Sequence, residues 1–257
     1  ALAHLGESHT VVNALVPPFV TSGAEGERTR RWLKDTPAFE LMAHALTQQS
    51  PNVPYLYFGT ADGSFFGLER EDGHFIVREI RPGESGRRHY RIGQPGDRSQ
   101  LVKTETTVYD PRTRPWYQLA SQHLGKIVWT EPYYDYTNGN LVIALARALT
   151  DTSGKVRGVF AVDAILAPFS AQLNRQADNG YQMIVNQSGK VLVHPDPAQL
   201  LKPMTHPQWL SRFKQGDGIF LDKASQLFVA YSKLPERNWV LISVQPAASV
   251  QAAIDRV

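Results

Sequence analysis

One pattern occurs twice in this chain, and it restricts the fold to a pair of sheet-built modules. The aromatic run Val53-Pro-Tyr-Leu-Tyr-Phe58 leads into the turn-forming Gly59-Thr-Ala-Asp-Gly63 and then into Ser64-Phe-Phe-Gly-Leu68. Further along, Tyr181-Gln-Met-Ile-Val185, Asn186-Gln-Ser-Gly189 and Lys190-Val-Leu-Val193 repeat the order strand, turn, strand. Residues with strand propensity flanking Gly, Asn and Asp predict a β-hairpin each time. Strands are expected at 75–80, 99–108, 139–149 and 156–165 after the first hairpin. After the second they are expected at 218–221, 227–231 and 239–244. Runs of strands without alternating helices point to antiparallel pairing and an α+β fold.

Helices frame these modules. Leu2, Leu5, His9 and Val12 recur near the 3.6-residue period, so residues 1–50 read as a long N-terminal helix. Pro17-Pro18 interrupts it, 25–34 resumes it, and 38–49 continues it to Ser50-Pro51. Pro115 suits the first turn of a short helix over 116–124. A connecting helix is expected at 168–177, a helical patch at 207–215 and a final helix from 247 onward. The layout is a helical segment 1–50, a module 51–168, a smaller module 169–246 and the start of an outgoing helix 247–257. Ala1 in place of an initiating Met and the helical ends give the expectation of a domain looped out between two membrane spans.

Composition removes several function classes. There is no cysteine, hence no disulfide, thiolate metal site or cysteine nucleophile. The eight histidines show no i, i+4 pairing, and His194-Pro-Asp196 offers too few ligands for zinc. No Gly-x-Ser-x-Gly turn, phosphate loop or dinucleotide fingerprint is present. No catalytic residue, metal or cofactor is therefore expected. The net charge is only +3 and scattered, which argues against nucleic acid. The one local basic cluster, Glu84-Ser-Gly-Arg-Arg-His-Tyr-Arg91, reads as a solvated loop.

The segment Tyr109-Asp-Pro-Arg-Thr-Arg-Pro-Trp-Tyr117 combines aromatic surface with positive charge. A guanidinium presents a fork of donors that matches a carboxylate, and Tyr and Trp supply flat walls with one polar tip each. Pro111 and Pro115 restrict the backbone around Arg114. The segment suits one wall of a small-ligand pocket, or else Trp116 and Tyr117 are core anchors beside local salt bridges. A second candidate is Asp163, a carboxylate inside the apolar strand Gly158–Leu166, on one face with Val159 and Ala161. Such a group needs a partner, which can be an arginine, a backbone N–H or a ligand ammonium.

The order Tyr-x4-Arg-x-Trp-Tyr, then Glu131-Pro-Tyr-Tyr-Asp135, then Gly154-Lys-Val-Arg-Gly-Val-Phe-Ala-Val-Asp163 resembles the double Cache (dCache) extracellular sensor domains of bacterial receptors. The resemblance extends to the closing Leu234-Pro-Glu-Arg-Asn-Trp-Val-Leu-Ile-Ser-Val-Gln-Pro246. It implies a long N-terminal helix and two PAS-like sheets, one membrane-distal and one membrane-proximal. One subset of the family recognises α-amino acids. Carried over, Tyr109, Arg114, Trp116 and Tyr117 meet the carboxylate, and Tyr133 and Asp163 meet the ammonium, with Tyr134 competing for the position of Tyr133. The expected function is a periplasmic, non-enzymatic sensor domain of a membrane-anchored receptor, able to pair as a homodimer, whose output is chemotaxis, a histidine kinase or a nucleotide cyclase. The alternative is the same fold recognising an amine, an organic acid, another metabolite or a periplasmic partner protein. A secreted hydrolase or solute-binding protein fits less well.

Overall fold

The computed structural model describes residues 10–13, 31–50, 53–106, 108–165, 180–234 and 238–254. They fall into two compact units, one within residues 2–133 and 142–164, the other within 134–141 and 165–257.

The first unit is built on a nine-stranded antiparallel sheet. Its strands are β1 Tyr55–Thr60, β2 Phe65–Glu71, β3 His74–Ile80, β4 Arg87–Ile92, β5 Gln100–Glu105, β6 Val128–Trp129, β7 Tyr133–Tyr134, β8 Leu141–Thr150 and β9 Val156–Ile165. The main path runs β5-β4-β3-β2-β1-β9-β8-β6, so β1 lies inside the sheet between β2 and β9. In the second unit the strands are β10 Tyr181–Asn186, β11 Val191–Val193, β12 Gly218–Asp222, β13 Leu227–Leu234 and β14 Trp239–Pro246. Their order is β11-β10-β14-β13-β12. Each unit thus has a first strand flanked by its hairpin partner and by the last strand of the unit, so the repeated sequence pattern corresponds to repeated topology.

The hairpin turns share one device. Asn186 accepts hydrogen bonds from Ser188 N, Ser188 Oγ and Lys190 N at 3.1, 2.8 and 2.9 Å. Asp151 does the same with Ser153 and Lys155 between β8 and β9. A carboxylate or amide oxygen two residues ahead of these N–H groups folds the chain back locally. Gly154 and Gly189 then take φ of +82° and +81°, a region open to glycine without steric cost.

The two faces of the first sheet differ. Helix α1, Thr36–Gln49, covers one of them. Phe39 stands edge-on to Phe58 and Phe66 and also meets Phe160, in a core that includes Leu56, Leu68, Val77, Leu145 and Val162. A buried ionic latch sits on the same side. Arg98 donates to both oxygens of Glu40 on α1, at 3.0 and 2.7 Å, and to Glu79 on β3 at 3.3 Å. Glu40 also accepts from Gly96 N at 2.9 Å.

Three sequence expectations change here. The helix expected to run from 25–34 into 38–49 is broken: Leu33 and Lys34 form a turn, and Asp35 caps α1 afresh by accepting from Ala38 N at 3.2 Å. A side-chain cap restarts the helix where Pro37 supplies no N–H. The strand expected at 99–108 is shorter, ending at Glu105. Of the basic stretch 84–91 read as a solvated loop, residues 87–91 belong to strand β4, with Arg87 and His89 buried, because Glu105 and Tyr109 partner Arg87 as described below. Of the rest of the expected N-terminal helix, residues 10–13 are helical, with Val11 and Val12 in the α1-side core. Residues 1–9 and 14–30 and the connecting helix expected at 168–177 lie outside the described residues, as do residues 255–257 of the last helix, α4 here, Ala247–Ile254, which follows the short helix α3, Leu210–Phe213.

Candidate ligand-binding site

The face of the first sheet opposite α1 carries the chemistry. Alternation along β1 sends Leu56 and Phe58 to the α1 side and Tyr55 and Tyr57 to the other. Tyr55, Tyr57, Phe65, Tyr109, Trp116, Tyr117 and Ala161 form one buried cluster there, with Tyr133 packed against it. The segment 109–117 is laid on this face by a 3₁₀ turn, Pro111–Thr113, and by helix α2, Pro115–Gln122. Asp110 caps the turn by accepting from Arg112 N at 2.9 Å.

Gly59 on β1 lets that segment approach. A β-carbon there would stand 2.6 Å from Pro111 Cβ and 2.9 Å from Trp116 Cη2. Gly59→Val therefore lifts Trp116 off β1 and costs about 1–3 kcal/mol by overpacking; urea unfolding and near-ultraviolet circular dichroism check this.

The two arginines of the segment part company. Arg112 turns outward and pairs with Asp110 at 2.8 Å, with about half its side chain exposed. Such a pair contributes little to stability. Arg114, half-buried at the start of α2, places its guanidinium carbon 6.0 Å from the centre of the Tyr133 ring. Trp116 is edge-on to Tyr57, ring centres 5.0 Å apart. Tyr57 Oη donates to Asp163 Oδ1 at 2.6 Å. Burial first, then the Asp163 carboxylate and Tyr133, push the Tyr57 phenol well above its usual range, so it stays a donor. Arg114, Tyr133, Tyr57 and Asp163 thus form a contiguous series from guanidinium to carboxylate. Of the two adjacent tyrosines, Tyr133 packs here and Tyr134 is 61% exposed.

Sequence reasoning passed over a second group on the same face. Ladder pairing aligns Ala161, Tyr57, Gly67, Arg78 and His89 in one row across β9, β1, β2, β3 and β4. Arg78 pairs with Glu69 and places its guanidinium 5.3 Å from the centre of the Tyr55 ring. Arg87 forks onto Glu105 at 2.8 and 3.1 Å and stacks 4.1 Å from the centre of Tyr109. His89 Nε2 lies 3.0 Å from Glu105 Oε1 without the alignment of a hydrogen bond. The alternation of Arg87, His89 and Arg91 is the period-2 signal that marks this strand, and flanking Gly and Pro obscured it.

Burial, with Arg78 and Arg87 adding to it, lowers His89 from its usual 6.5 to about 4. Between those values the unfolded chain binds a proton that the folded chain does not. Stability therefore falls as pH drops through that window. His89→Gln is expected to lose less stability from pH 6.5 to 4 than the wild type, as read from urea midpoints across that range.

The second unit has a cleft of about 450 Å³ lined by Asn186, Leu210, Phe213, Lys214, Lys233 and Trp239 among others. Among the described residues its lining holds two lysines and no Asp or Glu, whereas the first unit has Asp163. Trp209 is instead tied into the second unit by donating Nε1–H to Asp222 at 2.8 Å. Among the described residues no group of three or more His, Asp or Glu side chains is arranged to hold a metal.

The comparisons agree with this architecture. Residues 25–254 match the dCache_1 family, a Cache domain. The chain belongs to the dCache family. It is 37% identical over 135 residues to the methyl-accepting chemotaxis protein McpC of Bacillus subtilis (strain 168), a match covering 51% of this chain and 20% of that protein. This dCache chain thus spans about a fifth of the length of that relative. Among solved structures, the ligand-binding domain of Mlp24 with asparagine superposes with a TM-score of 0.58 at 20% identity, covering 98% of this chain and 88% of that one. The ligand-binding domain of the Pseudomonas fluorescens chemoreceptor CtaA in complex with L-isoleucine gives 0.53 at 22% identity, covering 89% and 90%. At such identities the likeness establishes the fold. Among the described residues no helix is long and apolar enough to cross a membrane.

Proposed function

We propose that this dCache domain is the periplasmic sensor of a membrane-anchored chemoreceptor and binds an α-amino acid in its first unit. The observation that carries the reading is the placement of Arg114 and Asp163 on one aromatic face, joined through Tyr133 and Tyr57. A zwitterion needs a cationic fork at one end and an acid at the other, and this face supplies both. Arg114 receives the carboxylate between Tyr109, Trp116 and Tyr117. Asp163, oriented by the Tyr57 hydroxyl, receives the ammonium together with Tyr133. Arg114 and Tyr133 keep partial exposure, which puts the entrance on their side. Relatives that are chemotaxis proteins and neighbours solved with amino acids support the reading.

In the whole receptor the first unit is membrane-distal and the second membrane-proximal, with an N-terminal helix arriving from one span and α4 leading to another, so that two such chains can pair along their helices. The ligand shifts signalling only through its differential affinity for two arrangements of the protein.

Thermal-shift screening of the twenty amino acids, organic acids, polyamines and purines tests the function. Saturating amino acid is expected to raise the unfolding temperature, by about 3 kcal/mol of added stability at a hundredfold excess over Kd. Stabilisation by organic acids or amines alone, with no response to any amino acid, overturns it.

A further inference from the structure

Resting on the amino-acid reading, we propose that the favoured ligand carries a hydrogen-bond-accepting oxygen in its side chain, an amide or a carboxylate, received by Tyr55 and Arg78 with His89 beside them.

On this face the protein buries polar atoms that have no hydrogen-bond partner among the described residues: Tyr55 Oη, Arg78 Nε and His89 Nε2. Tyr55 is 5% exposed, Arg78 2% and His89 4%. An arginine Nε–H can only donate, and a tyrosine hydroxyl readily does so. Native proteins rarely leave such groups unmatched, and an exception calls for an explanation; three such atoms side by side on the proposed binding face suit a bound acceptor.

The three atoms belong to one neighbourhood beside the proposed ammonium site. Tyr55 is paired across the ladder with Asp163 on one side and Glu69 on the other. Its ring lies 4.7 Å from that of Tyr57. Gly67 makes room for it: a β-carbon there would meet Tyr55 Oη at 2.6 Å. The missing side chain lets the phenol lie across β2 toward Arg78, whose own ladder partners are Gly67 and His89. A ligand whose ammonium is at Asp163 therefore has its side chain directed along the sheet, away from Arg114 and toward β2–β4.

Charge narrows the class. Arg78 is engaged by Glu69, with Glu71 Oε2 at 3.6 Å, and Arg87 is engaged by both oxygens of Glu105. A cationic side chain would add a third positive centre next to two guanidinium groups whose carboxylates are already committed. An aliphatic side chain would cover Tyr55 Oη and Arg78 Nε with hydrocarbon and leave both donors unmatched. An amide or carboxylate oxygen satisfies them.

Calorimetry on the purified domain tests this with asparagine, aspartate, leucine and lysine, of which asparagine and leucine are nearly the same shape. Asparagine or aspartate is expected to bind at least about tenfold more tightly than leucine, with lysine weakest. Tyr55→Phe, which removes one oxygen, is expected to reduce the preference over leucine by about fivefold or more. Leucine or lysine binding as tightly as asparagine and aspartate, in an Asp163-dependent manner, overturns this inference and leaves the amino-acid reading intact. So does an unchanged ratio in Tyr55→Phe. Absence of binding by every amino acid, or binding that survives Asp163→Asn, overturns both.

Discussion

Asp163→Asn is expected to lower the affinity for the proposed α-amino acid ligand by about two to four orders of magnitude, while the domain unfolds no more readily than the wild type. Asparagine keeps an oxygen for the Tyr57 hydroxyl, now 2.6 Å from the carboxylate, and so preserves the local packing. What it removes is the negative charge. The ammonium of the ligand is then buried against a neutral group, and loss of one member of a buried charge pair costs about 3–5 kcal/mol. Stability moves little because the carboxylate is 3% exposed in the protein without ligand, where burial of its charge is itself unfavourable. Titration calorimetry paired with thermal unfolding separates the two effects. Equal affinity in variant and wild type would remove Asp163 from the ammonium site.

Arg98→Ala is expected to destabilise the first unit by about 3 kcal/mol or more, since it strips a buried carboxylate of its partner. Glu40 is 2% exposed and meets the Arg98 guanidinium with both oxygens. The same guanidinium reaches Glu79 and stacks 5.4 Å from the centre of the Tyr90 ring. Arg98 retains 21% side-chain exposure, so water softens the loss and the lower end of the range applies. Glu40→Gln in the Arg98→Ala background should recover part of the loss, because an amide tolerates burial better than an unpaired charge. Urea unfolding of the three variants measures this. A change below about 1 kcal/mol in Arg98→Ala would place the latch among ordinary surface pairs.

Much of this architecture is legible in the chain itself, and the legible parts share a physical cause. The hairpins announce themselves because Asx-type turns need Asp, Asn, Ser and Gly at set positions, as at Asp151–Gly154 and Asn186–Gly189. Helix α2 is marked by Pro115. Tyr109, Arg114, Trp116, Tyr117, Tyr133 and Asp163 come together because the segments bearing them are carried on the strands, turn and helix of one sheet face. Strand β4 was not legible. Its side chains are Arg, His and Tyr, and nothing local tells a buried arginine from a solvated one. The difference lies at Glu105 and Tyr109, which the fold brings to Arg87 from other elements. Tyr55 and Tyr57 were visible as strand residues, but their roles depend on Gly67 and Asp163 across the ladder. The restart of α1 at Asp35 was hidden by charge-rich flanks that suit a continuous helix equally well.

The proposed site holds its ligand between Arg114 and Asp163. A crystal structure of the domain with an amino acid that stabilises it tests this directly. The α-carboxylate is expected within about 3 Å of the Arg114 guanidinium and the ammonium within about 3 Å of Asp163, hydrogen-bonding distances for charged groups. A ligand seated in the Lys214–Lys233 cleft of the second unit, or bound in the first unit with its ammonium away from Asp163, contradicts this placement.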